Sequence, residues 1–312
     1  MKAVFLDAKT FSEQVDLSAI KSQVKELVVY PVTAPEEIVE RAFDADVIIT
    51  NKVVIDADVI KRLPNLSLIC VAATGVNNID LDAATEANIV VKNVSGYAEY
   101  TLAQYVFSQI LAHYSDIPHH NEFAQAATWP RSETFCLHSK PMFELKEKTL
   151  GLVGYGVLAK AVERIALAFG MQVVIADRKG TTKLRDGRQP FEAVMKNSDI
   201  ISLHCPLTAE TEHLIDAHAL SLMKPTAMLI NTARGAVVNS LDLKQALENN
   251  QIALAVLDVL EQEPPPADHP LLQAPMKNLK ITGHIAWATM EAQQRLLTML
   301  AGNIKAFKEA SR

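Results

Sequence analysis

At 312 residues the chain has the length of about two ordinary domains, and 49% apolar against 21% charged residues lets it bury a full core rather than remain disordered. A formal charge of −6 supplies no basic surface for nucleic acid, and no run approaches the ~20 apolar residues that span a bilayer, so neither is an expected partner. Three widely spaced cysteines, Cys70, Cys136 and Cys205, suit reduced thiols in the cytoplasm better than a disulfide frame, and no histidine cluster has metal-ligand spacing.

From the N-terminus, short apolar and β-branched runs at 2–6, 27–30, 46–50, 66–73 and 89–91 read as strands separated by helical stretches. Residues 99–114 then carry Leu102, Val106, Ile110 and Tyr114 at helical spacing, which predicts an amphipathic helix. Residues 115–148 show little periodicity but bear Trp129, Phe135 and Phe143, and read as a long connection that packs on a partner or serves function. A second group of strands follows at 149–154, 172–177, 199–204, 227–231, 254–259 and 279–282, and a final helix at 290–307. Runs that are apolar on nearly every residue suit strands covered on both faces, and their alternation with helices predicts an α/β protein of two doubly wound parallel sheets.

The turn after the first strand of the second group reads G-L-V-G-Y-G-V-L-A, with Gly154, Tyr155, Gly156, Val157, Leu158 and Ala159 opening a helix. Gly154 permits the tight turn, Gly156 lets backbone approach a pyrophosphate, and Ala159 is small enough for helix and strand to pack closely. The helix, with Ala161, Ile165 and Phe169 expected inward, aims its N-terminal N–H groups at the phosphates. The next strand ends in Asp177, 177 − 156 = 21 residues beyond Gly156, the spacing of an acid that accepts the ribose hydroxyls. This constellation predicts NAD rather than NADP. Arg178 adjoins the acid, and Lys179, Lys183, Arg185 and Arg188 form either a phosphate-binding cluster or, as the simpler reading, a solvated loop.

Three further segments lie at predicted strand ends, where open α/β sheets bind ligands: Asn231 to Gly235 with Arg234, Asp258 to Pro265 with Glu263, and Thr282 to Trp287 with His284. At these residues the chain resembles the D-isomer-specific 2-hydroxyacid dehydrogenase family over nearly its whole length, supported by segments 73–80, 96–101 and 203–208. Within the family it looks most like the hydroxypyruvate reductase (glycerate dehydrogenase) branch, on Thr50 to Val53, Thr74 to Asn78, Trp129 to Cys136 and Trp287. The resemblance implies a Rossmann-type NAD domain, residues 98–287, inserted into a discontinuous flavodoxin-like substrate domain, residues 1–97 and 288–312.

It further implies that His284 is the proton donor, Glu263 its acidic partner and Arg234 the residue holding the substrate carboxylate, tasks suited to an imidazole and a planar cation. By the same match Thr74 and Gly75 bind substrate, while Arg178, Cys205, Pro206, Thr211, Thr232, Ala233 and Asp258 bind the cofactor. Expected substrates are hydroxypyruvate and glyoxylate, and the expected assembly is a homodimer. Other readings are a relative acting on D-lactate or phosphoglycerate, or a dinucleotide-sensing corepressor-like binder. A formate dehydrogenase-like relative is disfavoured because that branch has glutamine where Glu263 stands. Relatives often carry proline in place of Gly283 and glycine in place of Ala159; neither departure removes a reacting group.

Overall fold

The computed structural model describes residues 1–310. The chain divides into two compact units, one of residues 1–98 together with the segment from Trp287 onward, the other of residues 99–286.

The first unit holds strands β1 (Lys2–Phe5), β2 (Glu26–Val29), β3 (Val47–Thr50), β4 (Leu68–Val71) and β5 (Val90–Lys92), all parallel in the order β2-β1-β3-β4-β5. Its helices are α1 (Ser18–Lys21), α2 (Ile38–Ala42), α3 (Ala57–Lys61), α4 (Leu81–Glu86) and, at the far end of the chain, α11 (Met290–Ala310). Successive strand side chains point to opposite faces, so each apolar run is split by parity. Ala3, Phe5, Val47 and Ile49 pack with Leu296, Leu300 and Ile304 of α11, while Val4, Ile48 and Ile69 pack on the other face with Ile38 and Ile60. Phe11, Tyr97 and Trp287 add an edge-on aromatic cluster, with centroids 5.5 and 6.0 Å from the Trp287 ring.

The second unit holds β6 (Thr149–Val153), β7 (Gln172–Ala176), β8 (Ile200–Leu203), β9 (Met228–Asn231), β10 (Leu254–Leu257) and β11 (Leu279–Ile281), parallel in the order β11-β10-β9-β8-β6-β7. An isolated parallel bridge between Ala176 and Gln189 adds the remnant of one more strand beyond β7, giving the outer order of a dinucleotide-binding sheet. Helices α5 (Glu99–Tyr114) and α7 (Val157–Ala168) cover one face; α8 (Phe191–Asn197), α9 (Ala217–Leu222) and α10 (Ser240–Glu248) cover the other. The α5 stripe Leu102, Val106, Ile110 and Tyr114 is buried as expected. Phe169 is not: it lies just past the end of α7, 42% exposed, with its ring stacked on Phe107 at 5.5 Å. Residues 115–148 contain a helix that periodicity did not reveal, α6 (Ile117–Phe123), started by the Asp116 side chain accepting from the His119 N–H.

Among the described residues no helix is long and apolar enough to cross a membrane, no cluster of ligands could hold a metal, and the three cysteines are free.

Candidate active site

Every segment singled out in the second unit leaves the carboxyl end of a strand. Gly154 follows β6, Asp177 follows β7, Cys205 lies just past β8, Thr232 past β9, Asp258 past β10 and Thr282 past β11. The switch in strand order falls at β6, between β7 and β8, which makes the ends of these strands the ligand crevice.

Gly154 takes φ +89°, and a Cβ there would lie 2.5 Å from the Cys205 nitrogen, so only glycine lets the turn pass the β8 loop. Gly156 is different: its φ is ordinary and a Cβ would meet nothing within 4 Å. That open space lies at the N-terminus of the twelve-residue helix α7, where unpaired N–H groups favour a phosphate. The Thr232 hydroxyl is buried without a hydrogen-bond partner. An open glycine at a helix start and an orphaned hydroxyl one loop away are features a dinucleotide would complete, so the residues present fit NAD.

Other expected cofactor residues are engaged within the chain. Tyr155 donates from its hydroxyl to Glu163 at 2.5 Å, which with partial burial raises its pKa, and its ring lies under Arg188 at 4.8 Å. Val157 is exposed at the start of α7 and Leu158 packs partly on the α5 side of the sheet. Thr211 closes its own loop, donating to the Pro206 carbonyl at 2.6 Å. Cys205 is 8% exposed, and burial pushes its thiol up to about 11. Ala233 donates its N–H to the Asn231 side chain.

Asp177 departs furthest from the expectation of a carboxylate waiting for ribose. Its side chain is 2% exposed; Oδ1 accepts from the Arg178 amide, and from Nε and Nη2 of Arg185 at 2.8 and 2.5 Å, while Oδ2 accepts from the Arg185 amide at 2.7 Å. The Arg185 guanidinium holds this carboxyl well below the usual carboxylate range. The basic loop is exposed from Arg178 to Gly187, in keeping with the solvated reading, but several of its charges are paired: Arg185 with Asp177, Lys179 with Asp216 at 2.9 Å, and Arg188 over Tyr155.

His284 and Glu263 come together. The imidazole Nδ1 lies 2.5 Å from Glu263 Oε2, both side chains are partly exposed, and Glu263 Oε1 accepts from the Leu260 N–H. With Nδ1 committed, Nε2 is the ring nitrogen left to a ligand. His284 takes φ +57°, a left-handed conformation that costs a histidine of order 1 kcal/mol. Asp258, 2% exposed, holds it there: the His284 N–H donates to the Asp258 carbonyl at 2.7 Å, and the Ile285 and Ala286 N–H groups donate to its two carboxylate oxygens at 2.8 Å. Burial raises the Asp258 carboxyl while these donors oppose the shift. The Asp258 carboxylate is thus spent on the loop carrying His284, a role that its expected cofactor contact did not include.

Arg234 turns its Nη1 onto the Ala233 carbonyl at 2.7 Å. The next residue fixes this turn in space: a Cβ on Gly235 would lie 1.8 Å from the Leu260 carbonyl carbon, so the Arg234 turn lies directly against the backbone leading to Glu263. Glu261 clamps the same loop, accepting from the Ser240 N–H and from buried His269 Nε2, each at 3.1 Å.

In the first unit, Thr74 and Gly75 follow β4, and Asn93 donates to the Thr74 carbonyl at 2.7 Å. Sequence reasoning passed over Asp7 here. Its buried carboxylate accepts the N–H groups of Asn51, Lys52 and Val53 at 2.6–3.2 Å, fixing the turn after β3. An acidic residue ending a first strand was the available signal. In the second unit Tyr105 was passed over, because a tyrosine on an apolar helix face looks like packing, while Arg185 and Thr282 were noted only as part of the basic loop and as the start of a segment, without their partners.

Residues 107–286 match the family model for the D-isomer specific 2-hydroxyacid dehydrogenase, NAD binding domain. The chain is 39% identical over 307 residues to a glycerate dehydrogenase of Methylorubrum extorquens, covering 98% of this chain and 96% of the relative. It is 33% identical to a hydroxypyruvate reductase of Blautia hydrogenotrophica over 100% and 98% of the two chains. Among solved structures, a D-lactate dehydrogenase of Aquifex aeolicus complexed with NAD and lactic acid superposes with a TM-score of 0.78 at 27% identity, over 99% and 96% of the chains.

Proposed function

Because the chain belongs to the D-isomer specific 2-hydroxyacid dehydrogenase family and uses NAD, we propose that it reduces small 2-oxo acids, hydroxypyruvate and glyoxylate first, to D-2-hydroxy acids. NADH, when bound, supplies the hydride for the carbonyl carbon. The remaining tasks fall to the chain. Arg234 releases the Ala233 carbonyl to hold the substrate carboxylate, a role for a permanently charged fork. His284 gives the Nε2 proton to the forming alkoxide oxygen, and Glu263 on Nδ1 keeps the ring oriented while it is charged.

The observation that carries this reading is the 2.5 Å His284–Glu263 pair on the same sheet edge as the open Gly156 turn. Hydroxypyruvate and glyoxylate are favoured over bulkier acids by the resemblance to the glycerate dehydrogenase branch and by the relatives' activities. In this reading the NAD domain is residues 98–287 and the substrate domain, which carries Thr74 and Gly75, is the remainder. Cytoplasmic residence is supported by the free thiols. A homodimer is supported by exposed Trp129, Phe135, Met142 and Phe143 along one connection, Phe135 being 92% exposed.

A panel of 2-oxo acids assayed with NADH and NADPH in parallel tests the reading. The highest kcat/KM is expected for hydroxypyruvate or glyoxylate with NADH. No NADH oxidation with any 2-oxo acid would overturn it.

A further inference from the structure

The hydrogen bonds that hold His284 do not end at Asp258. Thr282 Oγ1 lies 2.6 Å from Asp258 Oδ1, and on its other side 2.6 Å from the hydroxyl of Tyr105, which projects from α5. A hydroxyl has one proton. The Asp258 carboxylate already receives two backbone N–H groups, so Thr282 gives it the proton and Tyr105 must be the donor to Thr282. Burial raises the pKa of the Tyr105 hydroxyl above its ordinary value, so it keeps its proton. The ring packs partly on the core beside Val106 and Leu102, which a phenylalanine would also do. What the hydroxyl adds is therefore only the link to Thr282.

We propose that Tyr105 is a positioning residue for His284, acting through Thr282 and Asp258 on the turn that carries the imidazole. The inference rests on the reading of His284 as proton donor. It requires the segment 282–286 to be determined from one side by Asp258, whose donors include one side chain, and that side chain to be oriented by Tyr105. Without the Tyr105 hydroxyl, Thr282 retains a free rotor and the carboxylate a less directed donor. The left-handed His284 is then no longer over-determined, and its ring samples orientations other than the one meeting Glu263. The charged groups on this ring are Glu263 from the loop after β10 and Asp258 at the end of that strand; neither is altered by a change at position 105.

The test uses the full chain with Tyr105→Phe, Thr282→Val, Thr282→Ser and His284→Ala. It reads kcat and KM with hydroxypyruvate, the NADH Kd by fluorescence, melting temperature, and the His284 ring signal in 13C-histidine NMR without NADH. Tyr105→Phe is expected to lower kcat about three- to tenfold, with the NADH Kd and melting temperature nearly unchanged. Thr282→Val is expected to lower kcat by more, and Thr282→Ser to recover most of that loss. The His284 signal, identified by its loss in His284→Ala, should be displaced in Tyr105→Phe and Thr282→Val but not in Thr282→Ser. If Tyr105→Phe melts early, the comparison of Thr282→Val with Thr282→Ser decides the same point. Wild-type kcat and an unmoved signal in Tyr105→Phe, with His284→Ala inactive, would overturn the inference and leave the proton-donor reading standing. Wild-type turnover in His284→Ala would overturn both.

Discussion

The Arg185 guanidinium lies across the Asp177 carboxylate, Nε 2.8 Å and Nη2 2.5 Å from Oδ1, so the acid expected to read the ribose is already saturated by the chain's own donors. Ribose hydroxyls are donors of the same kind, and the half-exposed arginine can yield its place to them. Asp177→Ala is expected to raise the NADH Kd about tenfold, the loss of hydrogen bonds to a charged acceptor, and the NADPH Kd by less than threefold. Fluorescence titration with both nucleotides measures this. Equal losses would remove Asp177 as the ribose acceptor.

Two glycines separate folding from cofactor binding. A methyl on Gly235 would lie 1.8 Å from Leu260 backbone, with no side chain free to move aside, whereas a methyl on Gly156 meets open space. Gly235→Ala is expected to cost about 3 kcal/mol or more and lower the melting temperature by ~5 °C or more. Gly156→Ala should melt like the wild type yet bind NADH at least about tenfold more weakly, because its methyl stands where the pyrophosphate approaches. Thermal melts and NADH titrations of the two variants, side by side, check this; an early-melting Gly156→Ala would contradict the open-turn assignment.

His204 makes the fold acid-sensitive. Its partly buried ring touches Ser202 Oγ at 2.9 Å, and desolvation pushes its pKa down to about 4 from the ordinary 6.5. Above pH ~6.5 the ring is neutral in both folded and unfolded chains, and its contribution is fully present. As pH falls from 6.5 toward 4, the unfolded chain takes up a proton that the folded chain refuses, and stability declines by up to about 3 kcal/mol. Below about 4 both states are protonated and the decline from this group stops. His113, also lowered by burial, adds a smaller slope of the same sign. His204→Gln should flatten the fall in denaturation midpoint between pH 6.5 and 4, and an unchanged slope would assign the acid sensitivity elsewhere.

The fold was legible because its signals are local. All eleven strands among the described residues lie within the apolar runs read along the chain or shifted from them by a residue, and the Gly154–Gly156 turn opens a helix as its spacing requires. The α6 helix was not legible, because Asp116 and the following Pro118 start it without an apolar stripe. In the site, His284 and Glu263 were visible as residue types at strand ends and through the family resemblance. What could not be read were partners fixed by three dimensions. Arg185 reaches Asp177 across eight residues of loop, and Tyr105 meets Thr282 across 177 residues of chain. No spacing rule connects such pairs. Gly235 is similar: its need for glycine arises from the backbone of a different loop, not from its own φ.

The reading of His284 as the proton donor in NADH-dependent reduction of a 2-oxo acid stands or falls on its replacement by alanine. The most direct measurement is steady-state turnover of His284→Ala with hydroxypyruvate beside its NADH Kd. Turnover is expected to fall ~10²–10⁴-fold, the usual worth of a general acid, with NADH binding within about twofold of wild type. A variant retaining kcat within a few-fold of wild type would contradict it.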